Sequence, residues 1–425
     1  MRSRAVVLLV FFASLHALVL VAFWSGSEGH IAGQVAILSV VPLIMGGSYV
    51  IERLSLPMSW LDTWVLIYAA WSILSVVLYL QAGNPSDARA YAYGFYNFVV
   101  PIACYYAAKS IPPEQHSELI SGVVLLNAFA ITYGLYLHFT RPGYYLAFLT
   151  SRLAQTGATE EWQFFARLQS YLGSTAVGYI GAVSLVLATL STPRVRRLLP
   201  FLAVIFVTGS ALSLQRASFV GLAFGLTYLV LFFRQKVALR LLTLATFVGA
   251  SIYVGVHFAA TADPLQETLA VRATTDMAEG LSGFGDDRGY TRGINYLRSF
   301  PLGVGLGATS SAAESAGLVR KGEVADANFM RIGADLGVFG LLLFLMVIVT
   351  AFLRAWRTRH RMAWITFILI HCGIMLTTNV LDSFYISHTF WLLLAVIDCD
   401  YDSVRASKAQ RRWVRPAISS AAAFG

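Results

Sequence analysis

Long apolar runs alternate with short polar connections along most of this 425-residue chain. They fall near 5–24, 33–51, 60–80, 91–108, 117–138, 174–192, 198–214, 217–233, 241–258, 333–353, 363–381 and 385–399. A bilayer core takes about 20 apolar residues of α-helix, and backbone groups cannot be left unpaired in hydrocarbon. The pattern therefore predicts an all-α polytopic membrane protein of about twelve transmembrane helices, forming a single membrane domain over 1–425. Two intervals break the rhythm, 139–173 and 259–332, and both mix charge with aromatics, as in Tyr144-Tyr145-Leu-Ala-Phe148 and Trp162-Gln-Phe-Phe165. They are expected to fold as short helices on the membrane surface and not to be disordered.

Composition sharpens this reading. Hydrophobic residues make up 57% of the chain and charged residues 12%, whereas about a quarter of a soluble domain is charged. The net charge of +9 does not point to nucleic acid, because the basic residues sit in small clusters between apolar runs and not on one face. Most of the 31 Lys and Arg fall on one set of connections: Arg2 and Arg4, Arg53, Lys109, the Arg194/Arg196/Arg197 cluster, Arg234/Lys236/Arg240, Arg354–Arg361 and the basic tail 400–425. Such connections face the cytoplasm. Both termini are expected there, with the two long intervals on the outward face. The N-terminal run resembles a signal peptide but lacks a small-x-small cleavage site, so it is read as a retained helix.

Several chemistries find no support. Cys104, Cys372 and Cys399 lie within or at the end of apolar runs, without disulfide or zinc-ligand spacing. The eight histidines are scattered, so neither a metal nor another cofactor is expected. No Gly-x-Ser-x-Gly elbow is present. Gly303-Val-Gly305-Leu-Gly307 is not preceded by a strand, which removes the nucleotide-binding reading and leaves a tight re-entrant turn. Asp398-Cys-Asp400 looks like a sugar-nucleotide Asp-x-Asp, but no soluble α/β domain accompanies it, and it is read as a solvated helix end.

What remains is arginine-rich. Arg167 is followed ten residues later by Gly178, and Arg292 ten residues later by Gly303, one such pair in each long interval. Guanidinium groups bind phosphate bidentately and keep their charge at any accessible pH; a downstream glycine allows a tight turn or a close approach. These arginines either hold a lipid diphosphate or snorkel to headgroups. Arg288 and Arg298 flank Arg292 and join the substrate-binding candidates, as do Gly303, Gly305 and Asn328. Arg216, in Ser213-Leu-Gln-Arg216, sits between two spans with almost no loop, where an ionisable group is costly. It either serves the site or pairs with an acid such as Asp382. A candidate base is sought among Glu323, Asp326 and Asp335: apolar surroundings raise a carboxyl pKa toward neutrality. Asp326 is the favoured one, its alternative being to cap the helix that begins Ala327-Asn-Phe.

Phe300-Pro-Leu-Gly-Val-Gly-Leu-Gly307, Asp326-Ala-Asn-Phe-Met-Arg-Ile-Gly-Ala-Asp-Leu-Gly-Val-Phe-Gly340 and Ser213-Leu-Gln-Arg216 together resemble the O-antigen polymerase and ligase superfamily. The resemblance implies a GT-C-like glycosyltransferase of the bacterial inner membrane, working at the periplasmic face on undecaprenyl-diphosphate-linked oligosaccharide as donor and acceptor. It implies a metal-independent, inverting reaction in which Arg292, Arg216 and Arg167 hold the diphosphate and Asp326 is the base. A chain-length-regulating protein and a flippase are the implied partners. The paired Arg-x10-Gly elements are similar to those of the polymerase branch. Ligases carry a histidine beside the asparagine, where this chain has Ala327, so polymerase is expected over ligase. A transporter ranks below both, because the charges lie at helix ends and no internal repeat is evident.

Overall fold

The computed structural model describes residues 3–25, 31–53, 58–81, 88–156, 168, 170–213, 215–232, 249, 290–309 and 327–421. Among these the regular structure is entirely helical. In chain order the helices are α1 (Ser3–Ser25), α2 (Ile31–Arg53), α3 (Trp60–Gln81), α4 (Ala88–Phe98), α5 (Ile102–Lys109), α6 (His116–Thr140), α7 (Gly143–Thr156), α8 (Ser174–Leu190), α9 (Pro193–Arg197), α10 (Leu199–Leu212), α11 (Arg216–Phe232), α12 (Tyr290–Ser299), α13 (Asn328–Ala355), α14 (Arg361–Met375) and α15 (Phe384–Ala421). Single 3₁₀ turns occupy Pro113–Gln115 and Val380–Asp382. The run expected over 241–258 lies outside the described residues.

Among the described residues, three helical stretches are long and apolar enough to cross a bilayer: Arg4–Val21, Pro113–Thr140 and Asn328–Ala355. Shorter apolar helices surround them, among them Thr175–Leu190 and Ala217–Phe232. Where these helices touch no neighbour they remain apolar. On α13, Leu343, Phe344, Val347 and Ala351 are buried while Leu342, Val349 and Leu353 face outward. A row of large apolar side chains on the outside suits lipid and not water. Well enclosed are α8, packed by α6, α10, α11 and α14, and the Phe390–Ile397 stretch of α15, which is wholly buried. The two long polar intervals contain the short helices α7 and α12.

One expected span, 91–108, is broken into α4 and α5. Pro101 is the cause: it has no N–H to give the carbonyl of Asn97 and its ring clashes with a continuing helix. The hydroxyl of Ser387 on α15 donates to that carbonyl instead, at 2.7 Å. The bend turns α5 into the interior, where all eight of its residues are buried between α2 and α15.

That bend also buries Lys109, and its charge is matched. Its Nζ donates to Asp62 Oδ1 and Oδ2, at 2.9 and 3.0 Å, and pairs with Asp398. Asp398 is also paired with Arg354 at the end of α13, and it accepts the hydroxyls of Ser59 at 2.9 Å and Tyr105 at 3.2 Å. Ser59 and Asp62 exchange the reciprocal bonds of a capping box, 3.0 and 3.1 Å, at the start of α3. Asp398 is therefore not a solvated helix end, as its sequence neighbourhood suggested, but a fully buried acid joining four helices. Helical sequence far from a cluster cannot reveal which basic groups fold back onto it.

Removing one member of such a network leaves a buried charge without compensation. Lys109→Met is expected to destabilise the protein by about 3–5 kcal/mol, seen as a large fall in melting temperature in detergent. Arg405→Met, at an exposed position on α15, is expected to stay within about 0.5 kcal/mol.

Candidate functional site

α12 opens the described part of the second polar interval and lies across the first turns of α13. Leu297 sits over Gly333, and Met330 sits over Gly293. The hydroxyl of Tyr290 donates to the carbonyl of Leu376, just beyond α14. Burial pushes the Tyr290 pKa upward, so this group keeps its proton and remains a donor at neutral pH.

After α12 the chain turns back over a break in α13. Gly303, Gly305 and Gly307 adopt φ of +88°, +106° and +82°, and α13 loses helical geometry at Gly337, φ +73°. The break is an exchange of backbone partners. Val338 N–H, which a regular helix would give to Ala334, donates to Pro301 at 2.9 Å. The freed Ala334 carbonyl accepts Val304 N–H at 2.9 Å, and that of Asp335 accepts Gly305 N–H at 3.0 Å. Trp71 Nε1 donates to the Leu336 carbonyl at 2.9 Å. Buried peptide groups thus stay paired although the helix is interrupted. A β-carbon at Gly303 would collide with the Asp335 carbonyl, and one at Gly337 with Pro301 and Leu302. The glycine run is a tight turn, as expected.

The Asp335 side chain closes this arrangement. Its Oδ2 accepts Gly307 N–H at 3.0 Å; its Oδ1 accepts Thr309 N–H at 2.9 Å and the Thr309 hydroxyl at 2.8 Å. Arg331 Nε stands 3.7 Å from Oδ2. A carboxylate with these commitments and no solvent exposure has no room for a substrate proton. Asp335 is a structural anchor and leaves the list of candidate bases. Glu323 and Asp326 lie outside the described residues. The N-cap of α13 is Ala327, without a side-chain bond.

Arg331 is fully buried, pairs with Asp382 and holds its guanidinium 5.3 Å from the centre of the Phe98 ring. Asp382, the alternative partner considered for Arg216, pairs with Arg331; the Arg216 side chain lies outside the described residues. Asn328, the first residue of α13, is buried, and its Oδ1 accepts Leu381 N–H at 3.0 Å. The sequence reading passed over Arg331. Its signal was the i, i+4 spacing to Asp335, which lets one turn of helix pair both charges inside an apolar span.

The remaining candidates distribute as follows. Arg292 is the third residue of α12, and Arg298 is exposed in its last turn. Arg216 begins α11, after a turn held by Ser213 Oγ, which donates to Ser210 O at 2.7 Å and lies 3.2 Å from Ser218 Oγ. Gly178, the other glycine of the repeated spacing, lies within α8 against this turn: a β-carbon there would stand 2.8 Å from Ser213 Oγ. It serves close helix approach, whereas Gly303 serves a turn. Arg167 and Arg288 lie outside the described residues.

α14 relates the two arginine-bearing helix starts. Gly221 on α11 faces Ile374, with a β-carbon placed 2.9 Å from Ile374 Cδ1; two residues on, Leu376 receives Tyr290. Arg216 and Arg292 therefore begin helices flanking the same end of α14. The described residues hold no cluster of His, Cys, Asp and Glu suited to a metal ion. No protein-family model matches the chain, and no curated protein matches it.

The turn makes a direct stability prediction. Gly337→Ala is expected to lose about 1–2 kcal/mol from left-handed backbone alone, and more from the collision with Pro301. Gly47→Ala, in a helical site of α2 with open space around it, is expected to gain about 0.5–1 kcal/mol. Melting temperatures in one detergent should move in opposite directions; a matched fall, or no fall at Gly337, contradicts the exchange of backbone partners.

Proposed function

We propose that the protein is a polysaccharide polymerase of the bacterial inner membrane. It joins undecaprenyl-diphosphate-linked repeat units of an O-antigen, capsule or exopolysaccharide at the periplasmic face, within a GT-C-like arrangement of twelve spans with both termini cytoplasmic. The observation that carries this reading is the gathering of the starts of α11 and α12, with Arg216 and Arg292, around one end of α14. The twofold Arg-x10-Gly spacing and the superfamily resemblance support it.

In this reading the donor's diphosphate is held by Arg292 and Arg216, with Arg167, Arg288 and Arg298 contributing from the same two outward segments. Their charge needs no proton balance and is worth most where water is sparse. A hydroxyl of the acceptor unit attacks the anomeric carbon from the face opposite the diphosphate. The new glycosidic bond forms as the C–O bond to the diphosphate breaks, with inversion, and Asp326 takes the hydroxyl proton. No metal is needed, because the guanidinium groups stabilise the leaving group. A ligase would run the same displacement onto a different acceptor; Ala327, where ligases carry a histidine, favours polymerisation.

Cells carrying Arg292→Ala at wild-type protein levels are expected to replace long chains by single repeats on carrier lipid, with polymer reduced on the order of 10²-fold. Gel profiles of extracted polysaccharide read this out. Long chains persisting beside a normal immunoblot signal would refute the reading.

A further inference from the structure

α4 and α13 face each other across the glycine turn, and both present polar groups there. Gly94, Asn97 and Phe98 lie on one face of α4 at helical spacing. A β-carbon at Gly94 would stand 2.6 Å from Gly307 Cα, and Phe98 underlies the Arg331 guanidinium. Asn97, between them on that face, therefore points into the same junction. Asn328 and Arg331 occupy one face of α13, i and i+3, and reach Leu381 and Asp382 of the 3₁₀ turn.

Two of these side chains keep unused hydrogen-bonding capacity. Asn97 is fully buried, yet both Oδ1 and Nδ2 lack a hydrogen-bond partner; Asn328 is fully buried and its Nδ2 lacks one. Burying an amide without partners is costly, and replacing Asn97 by an apolar residue of similar size would avoid that cost. An unpaired, buried amide beside the arginine-bearing end is a place for a ligand to supply the missing partners.

The chemistry of the unmet groups selects that ligand. They offer two amide donors and one amide acceptor, which hydroxyl groups, each donor and acceptor, can satisfy. A phosphate oxygen would leave Asn97 Oδ1 unmet, and it would stand near the carboxylates of Asp335 and Asp382, which already pair with Arg331. An ammonium would leave both amide nitrogens unmet. We propose that Asn97 and Asn328, beside the Arg331–Asp382 pair, form a subsite for the hydroxyl groups of a neutral sugar. This inference rests on the polymerase reading. It assigns the diphosphate to the arginines of α11 and α12, and a sugar of the repeat unit to the junction of α4 with α13.

The test compares wild type, Asn97→Leu and Asn97→Ala with methyl glycosides of glucose, galactose, N-acetylglucosamine and rhamnose, and with inorganic pyrophosphate as a separate probe. Asn97→Leu is expected to melt ~2–4 °C higher, since an unmet amide is gone. Both variants should bind the preferred glycoside about tenfold more weakly and pyrophosphate unchanged. The subsite is overturned if no glycoside binds wild type, if glycosides bind wild type and variants equally, or if Asn97→Leu melts lower than wild type. It is also overturned if the variants lose pyrophosphate binding together with the sugar. Failure of the polymerase reading has its own signature: Arg292→Ala leaving pyrophosphate binding intact while the Asn97 variants still lose the glycoside.

Discussion

A single carboxylate governs the end of this bundle that carries the glycine turn. Asp335 lies two residues before the break at Gly337 in a long apolar helix and accepts the amides of Gly307 and Thr309, so that the break and the turn stabilise one another. Neither half would stand alone. A helix broken in an apolar setting exposes carbonyls that hydrocarbon cannot satisfy, and a ten-residue glycine-rich turn without anchors would lose its shape to entropy. Joined, they fix where α12 ends, and the length of that helix then sets where Arg292 is carried.

The same helix ends in a second polar knot. Arg331 and Arg354 are separated by roughly 35 Å along an ideal helix, and each is buried against acids. The knot around Asp398 ties α3, α5, α13 and α15 with hydrogen bonds that leave little capacity for a ligand. The other end differs: there Asn97 and Asn328 hold unmet capacity, and Arg216 and Arg292 lie in the first turns of two helices. The Asp398 end is a clamp, and the end with the glycine turn is where we propose that a substrate is met.

The sequence disclosed the helices well because length and apolarity are local properties. It also disclosed that the glycine run turns, since Gly303, Gly305 and Gly307 at alternate positions suit left-handed backbone. It did not disclose the break at Pro101, because a proline within an apolar run is tolerated in many membrane helices. Nor did it separate the acids. Asp335 and Asp398 look alike on paper, exposed at the edges of apolar runs, and each is buried by partners far away in the chain: Thr309 for one, Lys109 and Arg354 for the other. Asn97 gave no signal at all, since an asparagine becomes informative only when its neighbours fail to pair it.

The chemical account depends on a diphosphate leaving as one sugar chain is handed to another. The most direct measurement is to reconstitute the purified wild-type protein in lipid nanodiscs with undecaprenyl-diphosphate-linked repeat unit as sole substrate, without added metal, and to follow products by mass spectrometry. The account predicts dimers and longer chains on carrier, with one free undecaprenyl diphosphate released for each bond formed. Intact single repeats after prolonged incubation, or their movement across a vesicle membrane without any new glycosidic bond, would contradict it.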